Sequence, residues 1–345
     1  MAKLVSPLRP VMFSSELTEI AFSTEFPETV FELHGQDGET LVSTLYYPAA
    51  DGTVVVYGLD RIIETAVVND SLGHFSIHAD GETLYEFAVL PCPVAVESPA
   101  SEFLFASFLT SVVNERDTAV GRYECLSVYN PEGLPVNVTA SYMDYEGRIV
   151  VREFPDQSPV NPGTEISCYN VSPVRFNDFA TGELIGIEVS CGPRRQRYRV
   201  ISAPYQHDPA LIFRNCFGCW ETIFLCGIKE TDVGFTRSAA MINGKFVNYD
   251  LEEIITYKAS TGPVRYGNDR LARDLARSMD VFLLKNDGTP GVRVTITDCD
   301  VKTDNADDTI QSFSFSYRRA SLRQTDFISP APYRIFDNTF DLTYE

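Results

Sequence analysis

At 345 residues the chain is longer than one hydrophobic core usually serves, and its length predicts two or three domains. Hydrophobic residues at 44% and charged residues at 22% lie in the ordinary globular range, which excludes global disorder. The 48 acidic against 28 basic side chains leave a formal charge of -20, a surface that repels phosphate backbones and anionic lipid, so nucleic acid is not expected as a partner.

The opening Met1-Ala-Lys-Leu-Val-Ser-Pro-Leu-Arg-Pro places two Pro and an Arg where an export signal needs an unbroken apolar core. Synthesis in the cytoplasm without a signal peptide is the expectation. No apolar run reaches the roughly 18 to 20 residues that cross a bilayer, so no membrane insertion is expected.

Further along, residues 53–57, 148–154, 185–191, 197–201, 292–297 and 312–317 are short runs of β-branched and aromatic residues. In Ser312-Phe-Ser-Phe-Ser-Tyr, Phe313, Phe315 and Tyr317 share one face and three Ser the other, the pattern of a half-buried antiparallel strand. Gln36-Asp-Gly, Asn130-Pro-Glu-Gly, Asn161-Pro-Gly and Asn286-Asp-Gly supply turns between such runs. The predicted fold class is therefore mainly β: several domains of antiparallel sandwiches or barrels. One short α-helix is expected near residues 268–283, with Asn268 as its cap and Leu271, Leu275 and Met279 on one stripe.

An internal echo stands out. Gly52, Val55, Tyr57, Leu59, Ile62 and Ile63 recur without a gap as Gly244, Val247, Tyr249, Leu251, Ile254 and Ile255. The echo predicts two related β-units, each a strand turning into a short helix at residues 59–67 and 251–257.

Pro-rich connectors at Leu90-Pro-Cys-Pro and Ala203-Pro-Tyr-Gln-His-Asp-Pro divide the chain. The expected division is an N-terminal β domain (1–95), a central β-sandwich (96–205), a C-terminal β domain with one helix (206–328) and an extended tail (329–345). Within the tail, Ile335, Phe336, Phe340, Leu342 and Tyr344 form a strand-like run. They are candidates for binding a partner by adding a strand to its sheet edge, with folding back onto the same domain as the plainer reading.

Chemistry-bearing residues are sparse. Cys216-Phe-Gly-Cys219 with Cys226 lacks the second ligand pair of a structural zinc site, and the following Trp220-Glu-Thr-Ile-Phe reads as strand, not the helix of a redox motif. The eight Cys are spread through a long chain and read as mostly buried, reduced thiols. His74 and His78 would share a strand face, but a third ligand is not in view. Asp298, Asp300, Asp304, Asp307 and Asp308 make the densest acidic loop and the only calcium candidate. That loop departs from the EF-hand order, and a solvated hairpin loop is the simpler reading. No catalytic residue, no cofactor and no enzymatic activity is assigned.

From Phe213-Arg-Asn-Cys-Phe-Gly-Cys-Trp-Glu-Thr through Thr236-Arg-Ser-Ala-Ala to Ile296-Thr-Asp, Asp307-Asp and Phe313-Ser-Phe-Ser-Tyr-Arg, the chain resembles β-rich tail or baseplate-associated proteins of phages and prophages of gut Bacteroidales. The resemblance covers mainly residues 213–323. It implies a virion component, made in the host cytoplasm, that forms homo-oligomers and assembles with other virion proteins in the tail, baseplate or neck. It carries over no catalytic residue. A carbohydrate-binding β-sandwich protein that meets a host-surface glycan is the alternative.

Overall fold

A computed structural model describes residues 2–67, 72–111, 113, 115–201, 210–265, 269–302 and 311–320. The fold is mainly β, with several sheets and, among these residues, three short α-helices, in agreement with the predicted class.

The N-terminal block contains β1 (Lys3–Leu4), β2 (Val11–Phe13), β3 (Glu19–Ser23), β4 (Thr29–His34), β5 (Thr40–Tyr46), β6 (Thr53–Tyr57), α1 (Leu59–Ala66), β7 (Gly73–Ala79) and β8 (Glu82–Leu90). Strands β1-β3-β6 form one sheet and β2-β8-β7-β4-β5 another. Alternation does the work. Ile20, Phe22, Val54 and Val56 from the first sheet meet Phe31, Leu33, Phe75 and Ile77 from the second in one buried cluster. Helix α1 contributes Leu59 and Ile63, one helical turn apart.

The central block comprises α2 (Ala100–Ala106), β9 (Glu115–Thr118), β10 (Cys125–Tyr129), β11 (Val136–Met143), β12 (Ile149–Phe154), β13 (Ile166–Asn170), β14 (Glu183–Cys191) and β15 (Arg194–Val200). Its five-stranded sheet runs β12-β11-β14-β15-β9, with β9 parallel to β15, and the pair β10-β13 lies apart. Val138, Ala140, Tyr142, Val189 and Tyr198 pack with Leu126, Val128 and Tyr169 of that pair. The buried Tyr142 hydroxyl donates to the Phe176 carbonyl, which satisfies its one polar atom.

The C-terminal block holds β16 (Ala210–Arg214), β17 (Trp220–Phe224), β18 (Lys229–Ile242), β19 (Lys245–Ser260), α3 (Asp269–Arg277), β20 (Val281–Leu284), β21 (Pro290–Asp300) and β22 (Ser314–Arg319). These strands form one seven-stranded sheet in the order β17-β16-β20-β21-β22-β19-β18. Ala272 and Leu275 of α3 join its core alongside Phe313, Phe315 and Tyr317. The alternation seen at residues 312–317 is therefore the core face of a strand.

Three expectations about helices change. Met279 lies past the end of α3 and is exposed, so it does not extend the apolar stripe, and Asn268 is outside the described residues. The short α2, preceded by Pro99, was not anticipated. Residues 251–257 are strand, not helix, and the internal echo is not a repeated unit. After Tyr57 the chain enters α1 through Gly58, which has a φ of 75°, whereas β19 continues straight through the corresponding positions. What decides is the neighbour: Ile255 pairs with Val233, and Leu251 with Arg237, in an antiparallel ladder that holds the second copy extended. Ile63 and Ile255 are both buried, but one lies on a helix and the other on a strand.

A fourth apolar cluster joins all three blocks. Phe13 and Leu90 from the first, Leu104, Leu109 and Ile166 from the second, and Phe217 and Cys219 from the third are buried together. Phe13 and Phe217 have ring centroids 5.7 Å apart.

Candidate functional site

The feature that departs furthest from a closed globule is the β18–β19 hairpin. Its strands are 14 and 16 residues long, and β19 pairs with β22 only from Tyr257 to Ser260. Among the described residues, the twelve from Lys245 to Thr256 are thus held by β18 alone. At ~3.4 Å per residue that ribbon reaches roughly 40 Å from the sheet. Among the described residues β18 is the edge strand of the sheet along its whole length.

One face of the ribbon carries most of its large apolar side chains. The register places Val233 beside Ile255, Phe235 beside Glu253, Arg237 beside Leu251 and Met241 beside Phe246, all on the side that becomes core at Ile255 and Ala259. The row that is buried at its root runs outward into solvent: Phe235 is 55% exposed, Leu251 57%, Met241 63% and Phe246 77%. A two-stranded ribbon is stable in water only marginally, and exposed apolar rows such as this one, interrupted by Arg237 and Glu253, mark contact surfaces. The β-bulge between Ser238 and Ala239 adds twist midway along the arm.

Charge separates the arm from the rest of the chain. Residues 229–260 carry Lys229, Arg237, Lys245 and Lys258 against Glu230, Asp232, Asp250, Glu252 and Glu253, one net negative charge out of the chain's -20.

A second constellation lies where the central and C-terminal blocks meet. The Arg116 guanidinium from β9 donates to Glu221 Oε1 at 2.9 Å and Ser111 Oγ at 2.9 Å, and also to the Thr222 carbonyl. Glu221 on β17 also accepts from the Ser111 amide at 2.8 Å and the Asn215 side chain at 3.0 Å. On the far side Glu124 lies 3.4 Å from Arg116 and accepts from Thr118 at 2.8 Å, while its Oε2 lacks hydrogen-bond alignment. All three charges are buried. Burial drives the Glu124 carboxyl above its ordinary value, although Arg116 pulls the other way. For Arg116 burial opposes the charge, but Glu124 and Glu221 outweigh it and hold the guanidinium more basic than usual. This is the signature of a structural ionic joint.

A cavity of about 720 Å³ opens between the same blocks, with Arg122, Tyr123, Tyr145 and Phe179 on the central side and Phe224 and Lys285 on the other. Burial pushes the Tyr123 phenol up to about 12.

The residues singled out from sequence fall as follows. Asp298 and Asp300 sit on β21, paired with Ser316 and Ser314, while Asp304, Asp307 and Asp308 lie outside the described residues. The tail candidates Ile335, Phe336, Phe340, Leu342 and Tyr344 lie outside them as well. His78 is stacked on His34 at 4.2 Å, and His74 instead contacts Glu165 at 3.3 Å. Burial and the neighbouring His34 lower the His78 pKa. The three Cys do not converge: Cys219 is buried in the apolar junction, Cys226 accepts from Arg122 at 2.6 Å, and Cys216 contacts Arg270 at 3.5 Å. Sequence reasoning missed the arm and the ionic joint. The signal for the arm was the run of Phe235, Met241, Phe246 and Leu251 without a helical or core period.

No protein-family model and no curated protein matches the chain. A solved structure, titled for structural insight into host cell surface retention of a 1.5-MDa bacterial ice-binding adhesin, aligns over 76% of this chain and 92% of its own, at 10% identity and a TM-score of 0.18. A likeness of that size carries no argument about this chain.

Proposed function

We propose that this chain is a structural or adhesion subunit, without catalytic activity, that assembles through its β18–β19 arm onto a second copy of itself. The observation that carries this reading is the apolar row of the arm, which is core at Ile255 and solvent-exposed from Val233 to Phe246. The arm's near-neutral charge supports a like copy as its occupant. Two bodies of charge -20 repel over most of their surfaces, and they approach at least cost where each contributes one net charge. Arg237 and Glu253 on the same face would meet each other's counterparts in a two-fold pairing of arms.

The resemblance of residues 213–323 to tail and baseplate-associated proteins supports placing such an assembly in the tail, baseplate or neck of a phage particle, together with other virion proteins. A second reading, binding of a host-surface glycan, is favoured by one feature. Tyr145 and Phe179, 90% and 78% exposed, stand at the cavity between the blocks, where aromatic faces can stack on sugar rings.

Light scattering coupled to size exclusion, with electron microscopy of the same fractions, tests the assembly reading. Masses at multiples of 38.5 kDa, with rings, stacks or paired particles, are expected. Phe235→Ser combined with Phe246→Ser should shift the population to monomer. A monomer at every concentration, or assembly indifferent to those substitutions, would overturn the reading. Glycan-array binding that is lost in Tyr145→Ala would favour the second.

A further inference from the structure

The cavity of about 720 Å³ between the central and C-terminal blocks carries charge of the opposite sign to the chain around it. Arg122 lines it from the central side and Lys285 from the other, and Glu183 is the one carboxylate among its described lining residues. Two cations against one anion reverse the balance of a chain with 28 basic and 48 acidic side chains. A concave wall of low dielectric concentrates the field of such charges, so the cavity attracts an anion that the rest of the surface repels. Its volume falls within the roughly 300–1,000 Å³ of small-ligand sites.

Both cations are held in place with their charge available. The Arg122 amide donates to the Ala119 carbonyl at 2.9 Å, closing the turn through Gly121. Its guanidinium donates to Cys226 Sγ at 2.6 Å and lies 4.8 Å from the centre of the Phe224 ring, contacts that leave further N–H groups for a ligand. Lys285 opens the turn in which its amide donates to the Thr289 carbonyl at 3.0 Å. The carboxylates nearest to the two cations in sequence are engaged elsewhere. Glu124 faces Arg116 and Thr118, and Asp287 accepts from the Thr289 amide at 2.9 Å and hydroxyl at 2.6 Å. Tyr123 fixes the two walls to each other, since its ring packs so closely on Gly288 that a Cβ added there would lie 2.1 Å from Cε2.

Aromatic rings complete the site. Tyr145 stands in the β11–β12 turn, which the Gly147 amide closes by donating to the Asp144 carbonyl at 3.0 Å. The Tyr145 hydroxyl donates to the Phe179 carbonyl at 3.3 Å and so ties together the two loops that carry the exposed rings. An aromatic face takes the C–H face of a sugar, and a guanidinium takes a carboxylate through paired N–H bonds. A neutral sugar uses only the first of these; a carboxylated sugar uses both.

We propose that this cavity binds an acidic sugar, a hexuronic acid unit of a glycan, with its carboxylate held by Arg122 and Lys285 and its ring against Tyr145 and Phe179. Such binding rests on the glycan reading of the cavity, which leaves the class of sugar open.

Calorimetric titration of the full chain with a galacturonic acid tetrasaccharide, and with the same tetrasaccharide methyl-esterified, separates the contribution of charge from that of the ring. The acid is expected to bind at least about tenfold more tightly, the scale of one charge-assisted hydrogen bond, and to weaken as salt rises. Lys285→Gln, at an exposed position, and Arg122→Gln should each remove most of that preference and leave binding of the ester unchanged. Glu183→Gln, which removes the opposing charge, should strengthen binding of the acid. Equal affinity for acid and ester overturns the acidic-sugar assignment and leaves the glycan reading standing. Binding of neither form overturns both. A preference for the acid that survives Lys285→Gln and Arg122→Gln places the acid elsewhere on the chain and overturns the assignment to this cavity.

Discussion

Replacing Arg116 with Met tests how the central and C-terminal blocks are held together. The change keeps an unbranched apolar stem of similar reach but removes the cation from between Glu124, 0% exposed, and Glu221, 4% exposed. It also removes the donors to Ser111, Glu221 and the Thr222 carbonyl. Removing one partner of a buried ionic group leaves uncompensated charge and costs roughly 3–5 kcal/mol. A loss of that size is expected here. Trp220, the only Trp, immediately precedes Glu221, so its fluorescence during urea unfolding reports on this joint directly. In the triple variant Arg116→Met, Glu124→Gln, Glu221→Gln the buried charges are gone, and most of the lost stability should return, since neutral replacement of a whole buried ionic group is often tolerated. A loss below about 1 kcal/mol in the single variant, on the scale of an exposed ion pair, would refute the reasoning. A triple variant no better than the single would do the same.

Glu124 also predicts a pH dependence. Its folded pKa is raised chiefly by burial, so the folded state binds this proton more tightly than the unfolded state does. The associated stability is fully present below the ordinary carboxylate value and is lost as pH rises through the folded pKa. Glu124→Gln removes that dependence, and its melting temperature relative to the parent should climb across this window in matched buffers; a constant difference would count against the assignment. At Gly182, φ is 147° and an added Cβ would lie 2.2 Å from the Met143 carbonyl oxygen, beside the β11–β14 bulge. Gly182→Ala should therefore destabilise by about 1 kcal/mol or more, read from the urea midpoint, and an unchanged midpoint would contradict the close approach. Because arm association is apolar while the chains carry like charge, raising the salt from low to physiological strength should strengthen self-association in sedimentation experiments. Weakening with salt would point to ion pairing instead.

Local pattern was legible where one face of a strand meets a core and the other meets solvent. Phe313, Phe315 and Tyr317 declare their strand because alternation is imposed by the pleat itself. The arm was harder. Leu251, Ile254 and Ile255 have spacings that suit a helix as well as a strand, and the choice is made by Val233 and Arg237 on the preceding strand, a pairing that no local window contains. Least legible was the ionic joint. Arg116 stands in Asn114-Glu115-Arg116-Asp117, a run that reads as solvated surface, and only the packing of β9 against β17 removes it from water.

The junction at Phe13 has a consequence for how the chain is made. Phe13 meets the Phe103 ring early, but the third ring of that group arrives only when Phe217 has been synthesised, and until then Leu90, Leu104 and Leu109 share an unfinished apolar site. Contacts so distant in sequence form late, after the loops between them have been closed. During translation the N-terminal and central sheets can complete their own cores early, yet the seam between them stays open and adhesive. Nascent chains are thus most exposed to mispairing with one another before the third block emerges, and slowing synthesis through residues 91–216 should lengthen that interval.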